Sequence, residues 1–288
     1  MILRLEELPT LSPLAPRLLG IDSEDPDAER MILRVAASEP ILGARLIAVA
    51  SSAAFAAAGT QYSTISAAVR RIGLRCSLQL AIAQLFSSTM QKKIPTALNQ
   101  VLWLHSLAIA YAAQELARIK RIEDGGSAYF LGLVHNLGYV AMETLRPGTL
   151  AKVAIEAVDS NISLEQAEAR VFGADHAEVT AELLQFWKVP EHMGAPIRCH
   201  HTLDQHADSM AAILFGAEKI ARWEDVEAQL YHGQEHPFRS LAMDRIGIDF
   251  LFDQHLELCS DDVTKVGDHI VSQVHVLQQM AAAMTVAV

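Results

Sequence analysis

The chain is short of three things that would each have pointed to a particular chemistry. Cationic residues are scarce, 23 Lys and Arg against 34 Asp and Glu, for a formal net charge of −11. A protein that grips a phosphate backbone needs clustered Lys and Arg to displace counterions. The nearest such group, Arg70, Arg71 and Arg75 with Lys92 and Lys93 further on, reads as solvated helix ends, which argues against nucleic acid as the ligand. Cysteine is limited to Cys76, Cys199 and Cys259, odd in number and with no CxxC pair. That excludes a disulfide framework and a zinc ribbon and leaves reduced thiols. Aromatic residues make up only 6%, so the core must rest on Leu, Ile, Val, Ala and Met. Long uninterrupted apolar runs are missing too: the stretches 41–58 and 101–113 contain Arg45 and His105 and many small residues. They read as buried core helices and not as membrane spans. Glu6 and Glu7 interrupt the start of the chain before any charged-then-apolar leader pattern can form, so a soluble, cytoplasmic protein is expected.

What is present favours helices. Hydrophobic residues reach 51% and charged residues 20%, enough for a sizeable core, and Ala and Leu lose little side-chain freedom in a helix. Asp25-Pro26 and Glu39-Pro40 open helices over 26–38 and 41–51. Thr64 precedes a short helix that Gly73 can end through a left-handed cap, and 74–89 continues as another. The run Lys92-Lys93-Ile94-Pro95 interrupts the periodicity before a long apolar helix over 97–119. Helices are further predicted over 128–144, from Pro147, from the capping-box pair Ser163 and Gln166, over 177–187 behind Asp175, over 191–201 behind Pro190, and over 207–223. The polar, acidic stretch 224–237 reads as a loop or a surface excursion. Val263, Val266, Ile270, Val274, Leu277 and Ala281 fall on one face of a last helix, which either docks on its own chain or pairs two chains in a homodimer. The predicted architecture is all-α: an N-terminal helical subdomain (1–95) packed on a multi-helix bundle (96–223), followed by a C-terminal helical extension (224–288).

Histidine placement carries the chemical signal. His105 and His135 lie in strongly apolar helical runs, His176 follows Asp175 at a helix start, and His200 and His201 are adjacent. One such residue is more often a core histidine bonded to a carbonyl than a ligand. Several buried imidazoles on successive helices are costly unless they share a partner, whether a metal, an anion or one another.

Taken in order, these residues resemble the HD superfamily, whose phosphohydrolases use a helical histidine, an adjacent His-Asp pair and a late aspartate. His105 matches the first histidine and His135 the histidine of the pair. Asn136 stands where the family has aspartate, and Glu218 falls at the late acidic position. His176, His200 and His201 match additional histidines of the related HD-GYP group, but Thr202-Leu203-Asp204 follows in place of a Gly-Tyr-Pro signature. Leu8-Pro9-Thr10-Leu11, Glu39-Pro40-Ile41-Leu42-Gly43-Ala44-Arg45-Leu46, Ile65-Ser66-Ala67-Ala68-Val69-Arg70-Arg71-Ile72-Gly73-Leu74, Asp175-His176-Ala177-Glu178-Val179 and Trp187-Lys188-Val189-Pro190 resemble the HDOD domain, over roughly 8–223.

The resemblance implies a bacterial signal-transduction or regulatory module that acts without catalysis on a protein partner or small ligand. Its metal site would be degenerate, with His105, His135, Asn136, His176, His200, His201 and Glu218 as candidate ligands and no assigned catalytic residue. An asparagine brings no charge and bridges poorly between two cations, which repel in a low-dielectric pocket. No cofactor is required on this reading. If a metal binds, one divalent transition ion on His105, His135 and either His176 or His200 is expected, since imidazole suits Zn, Ni or Fe. The competing reading is a metal-dependent phosphohydrolase acting on a nucleotide or phosphomonoester, with Glu218 or Asp175 as general base.

Overall fold

Local capping chemistry sets most of the helix boundaries. The computed structural model describes Leu18 and residues 25–52, 55, 60–87, 96–122, 125–189, 191–201, 209–222, 224–231 and 259–285, and every regular element among them is a helix. Helices α1 (Ala28–Ser38), α2 (Pro40–Ala50), α3 (Ile65–Ile72) and α4 (Leu74–Ser87) precede the long α5 (Thr96–Ile119). There follow α6 (Gly125–Val134), α7 (Leu137–Leu145), α8 (Thr149–Ser160), α9 (Leu164–Val171), α10 (His176–Phe186), α11 (Glu191–Arg198) and α12 (Ser209–Ala221). Helices α13 (Glu224–Leu230), α14 (Ser260–Ser272) and α15 (Val274–Thr285) complete the order.

Thr64 accepts the Ala67 N–H at 3.2 Å to start α3, and Gly73 ends it at φ +85° while donating to the Val69 carbonyl. Both arms of the Ser163–Gln166 capping box are formed at α9. Asp175 caps α10 by accepting the Glu178 N–H at 2.8 Å. Each device satisfies backbone groups that a helix end leaves without an intrahelical partner.

Several boundaries differ from the sequence reading. The helix predicted over 128–144 breaks at His135-Asn136 into α6 and α7, so that α7 can lie against α10. There the Thr180 hydroxyl donates to the His135 carbonyl (2.9 Å) and accepts the Gly138 N–H (2.7 Å), taking up polar groups at the break. Gly138 is required at this contact, because a Cβ on it would stand 2.1 Å from the His176 carbonyl oxygen. The stretch predicted as a loop from 224 begins with α13, whose Val226 and Leu230 are buried one helical turn apart. The last predicted helix is divided at Gln273 into α14 and α15. Lys92, Lys93, Pro190 and all of 232–258 lie outside the described residues.

Helix α5 runs through the centre and packs against α6, α12, α14 and α15. Leu107, Ile109 and Leu116 on it are fully buried, each worth about 1.5–3 kcal/mol relative to exposure. Its approach to α6 is backbone-close: a Cβ at Gly132 would sit 2.5 Å from the Ala110 Cα. The C-terminal face Val263, Val266, Ile270, Leu277 and Ala281 is buried on the body of the same chain, and α15 also touches α2 and α4. All three cysteines are free, and burial pushes the Cys76 thiol up to about 12. Arg70 and Arg71 are engaged locally, by the Ser66 hydroxyl and the Phe55 carbonyl. No helix among the described residues is long and apolar enough to cross a membrane.

Candidate metal centre

The central packing of α5 against α6 and α12 brings His105, His135 and Glu218 to one buried point. Their ligand atoms all lie within 4.8 Å of one another. Glu218 Oε2 is 3.4 Å from both His105 Nε2 and His135 Nε2. That is longer than a good N–H···O hydrogen bond. It equals the separation, roughly 3.4 Å, of two ligands that bind one tetrahedral ion at about 2.1 Å.

Ring orientation fits the same purpose. His135 Nδ1 lies 2.7 Å from the Gly132 carbonyl, an acceptor, so this nitrogen carries the proton and Nε2 carries the lone pair in the neutral ring. A lone pair facing a carboxylate oxygen is repulsive unless a cation lies between them. Outer contacts that fix a histidine tautomer in this way are characteristic of metal-ligating imidazoles.

Arg222, one turn beyond Glu218, forms an ion pair with its other oxygen, Oε1, and is itself buried. Burial alone would raise the Glu218 carboxyl, but Arg222 and His105 hold it well below the usual carboxylate range. Burial lowers His105 despite the neighbouring Glu218, so this ring is neutral near pH 7.

A second group gathers His176 from the start of α10 with His200 and His201 from the turn after α11. The predicted helix over 191–201 ends at Arg198, which frees the His-His pair to turn inward. His200 Nδ1 lies 2.6 Å from the Ile197 carbonyl, again leaving Nε2 as the acceptor. The His176 and His201 Nε2 atoms are 2.8 Å apart, so a proton is shared between two rings. Glu168, fully buried, accepts both the His176 backbone N–H (2.7 Å) and Nδ1–H (2.8 Å). Tyr139 hydrogen-bonds Glu168 and stacks on His176 with ring centroids 4.2 Å apart. Burial resists charge on His176, but Glu168 outweighs it and raises the imidazole above its ordinary value. Burial and the neighbouring His200 lower His201. His176 thus has Glu168 on its Nδ1 side and His201 on its Nε2 side, and His201 Nδ1 lies 3.4 Å from Glu165.

The sequence grouping placed a metal on His105, His135 and His176 or His200; the structure groups His105 and His135 with Glu218 instead. Asn136 is buried beside His135, and neither of its amide atoms has a hydrogen-bond partner among the described residues. Asp175 is spent on capping α10. Glu168, Tyr139, Thr180 and Arg222 did not emerge from the sequence reading. Only Arg222 carried a local signal, its (i, i+4) spacing from Glu218.

A closed helical bundle with buried imidazoles on successive helices defines an HD-like protein. The family model for the HDOD domain matches residues 8–203, more than half of the chain, and the chain belongs to that family. A protein of Treponema pallidum (strain Nichols), itself uncharacterized, is 29% identical over 204 residues, 69% of this chain; the match spans 39% of that protein's length. An HDOD domain protein of unknown function from Geobacter sulfurreducens has the same fold, with a TM-score of 0.68 at 22% identity, covering 97% of this chain and 94% of that one. A candidate signal-transduction protein from Marinobacter aquaeolei VT8 gives a TM-score of 0.73 at 22% identity, over 98% of this chain and 60% of that one. A candidate phosphohydrolase from Shewanella amazonensis SB2B gives 0.68 at 20% identity, over 98% and 97%. At these identities the likeness is one of fold.

Proposed function

We propose that this HDOD chain is a cytoplasmic signalling module that acts without catalysis, through contact with a protein partner or small ligand. We further propose that one divalent transition metal held by His105, His135 and Glu218 organises its centre. The observation that carries this reading is the burial of that donor set, with side chains 2%, 0% and 1% exposed around an Nε2 whose tautomer is fixed from behind. Three protein donors leave the fourth position of a tetrahedral ion open, as in catalytic sites, but the burial of this set holds that position away from bulk water and substrate. Two imidazoles and one carboxylate suit Zn, Ni or Fe better than Mg or Ca, which prefer all-oxygen sites. Bound there, the ion would tie α5, α6 and α12 together.

A phosphohydrolase reading draws on one observation, the partial exposure of His201 (14%), which gives the histidine cluster an edge near the surface. The two readings separate in a turnover screen. Tag-free protein loaded in turn with Zn, Ni, Fe and Mn would be assayed on p-nitrophenyl phosphate, nucleoside monophosphates and cyclic dinucleotides. The expected result is metal-dependent thermal stabilisation, with no turnover above that of His135→Ala. Turnover that His135→Ala abolishes would overturn the non-catalytic reading.

A further inference from the structure

We infer that Arg222 limits the site to a single cation by occupying the carboxylate oxygen through which Glu218 would otherwise bridge to a second ion at His176, His200 and His201. The inference rests on the metal-holding reading above and concerns how many ions the donors accept.

Six donor side chains form two adjacent groups, brought together where the His135 and His200 rings lie 5.2 Å apart. Two dications this close repel strongly in a medium of low dielectric and need an anionic ligand between them. Among the six, Glu218 is the sole carboxylate. Glu168 lies behind the His176 ring, on Nδ1 and not on the Nε2 side that faces the other imidazoles, and Asn136 brings no charge. Glu218 has two oxygens: Oε2 faces His105 and His135, and Oε1 is held by the Arg222 guanidinium.

Arg222 is not a loose surface partner. It is 5% exposed and follows the last residue of α12, where the helix dipole favours a cation. Its positive charge adds to the repulsion that a second ion would meet. The three-imidazole group meanwhile closes on itself through the 2.8 Å contact between His176 and His201. One half of the cluster is therefore arranged for a cation, and in the other the Nε2 atoms of His176 and His201 engage each other, leaving His200 Nε2 without a hydrogen-bond partner among the described residues.

The test is ion stoichiometry, read by elemental analysis after equilibrium dialysis of tag-free protein against zinc at pH 8. The wild type should hold one zinc per chain, and so should Arg222→Lys, which keeps a cation against Oε1. Arg222→Met frees that oxygen and should hold two. Arg222→Leu likewise frees that oxygen and should also hold two; it decides the matter if Arg222→Met does not fold. Two zinc ions in the wild type would overturn the inference while leaving the metal reading intact. So would a single ion retained by whichever of Arg222→Met and Arg222→Leu folds. No zinc in any of the four would overturn the inference and the metal reading together.

Discussion

Replacing Thr180 by valine removes one hydroxyl and almost no volume, yet that hydroxyl fastens the helix break on which the site depends. It accepts the Gly138 N–H at 2.7 Å and lies 2.9 and 2.7 Å from the His135 and His176 carbonyls, all in a fully buried position. In Thr180→Val the Gly138 N–H has nothing to donate to, and a buried donor left unsatisfied costs about 1–3 kcal/mol. With the carbonyl contacts also lost, we expect a destabilisation of about 2–3 kcal/mol. At about 2–4 °C per kcal/mol for a large domain, this corresponds to a fall in Tm of roughly 4–12 °C. The loosened break also frees the backbone of His135, so zinc affinity should drop about tenfold, the lower end of the range for outer contacts of a metal site. Thr180→Ser, which keeps the hydroxyl and loses a methyl, should cost only about 1 kcal/mol. Urea denaturation and zinc titration of the three proteins provide the comparison. A valine variant as stable as the serine variant would refute the role assigned to this hydroxyl.

Other outcomes follow from the same geometry. Gly132→Ala should destabilise by about 1–3 kcal/mol, since its Cβ meets the Ala110 backbone of α5, whereas Gly194→Ala, whose Cβ meets nothing nearer than 3.9 Å, should gain up to about 1 kcal/mol from helix propensity; urea midpoints moving alike would contradict both. Glu168→Gln breaks the buried pair with His176 and should cost about 3–5 kcal/mol while leaving zinc at one per chain; loss of zinc would move the ion to the His176 group. In zinc-free protein, stability should fall on acidification. Burial holds His105, His200 and His201 below their ordinary values, so the unfolded chain takes up protons near pH 6.5 that the folded chain refuses. His176 is raised and works the other way, its contribution full below that pH and fading as pH rises through its folded value, but it is one against three. A urea midpoint at pH 5.5 equal to or above that at pH 7.5 would contradict the assignment.

Elements governed by neighbouring residues were legible in the sequence. Thr64, Gly73, Ser163 with Gln166, and Asp175 act within four residues of where they stand, so reading them required no knowledge of packing. The break at His135-Asn136 was not legible, because neither Gly nor Pro marks it. It is fixed by Thr180, more than forty residues away, and by the close approach that Gly138 allows. Helix α13 was hidden because Glu224, Asp225 and Glu227 give its segment a loop-like polarity, while Val226 and Leu230 bury against the body. The candidate histidines could be selected because imidazole is unusual in apolar helical runs. Their division into two groups could not, since it depends on how the turn after α11 folds back. Glu168 and Tyr139 escaped notice because buried carboxylates and phenols carry no pattern until their partner is placed.

The most direct test of the account is an anomalous difference map at the zinc edge, from crystals of tag-free protein equilibrated with zinc. The account predicts one strong peak per chain, bounded by His105, His135 and Glu218, with Arg222 still against the far oxygen of Glu218. A peak at His176, His200 and His201 alone, or no peak among these residues, would contradict it.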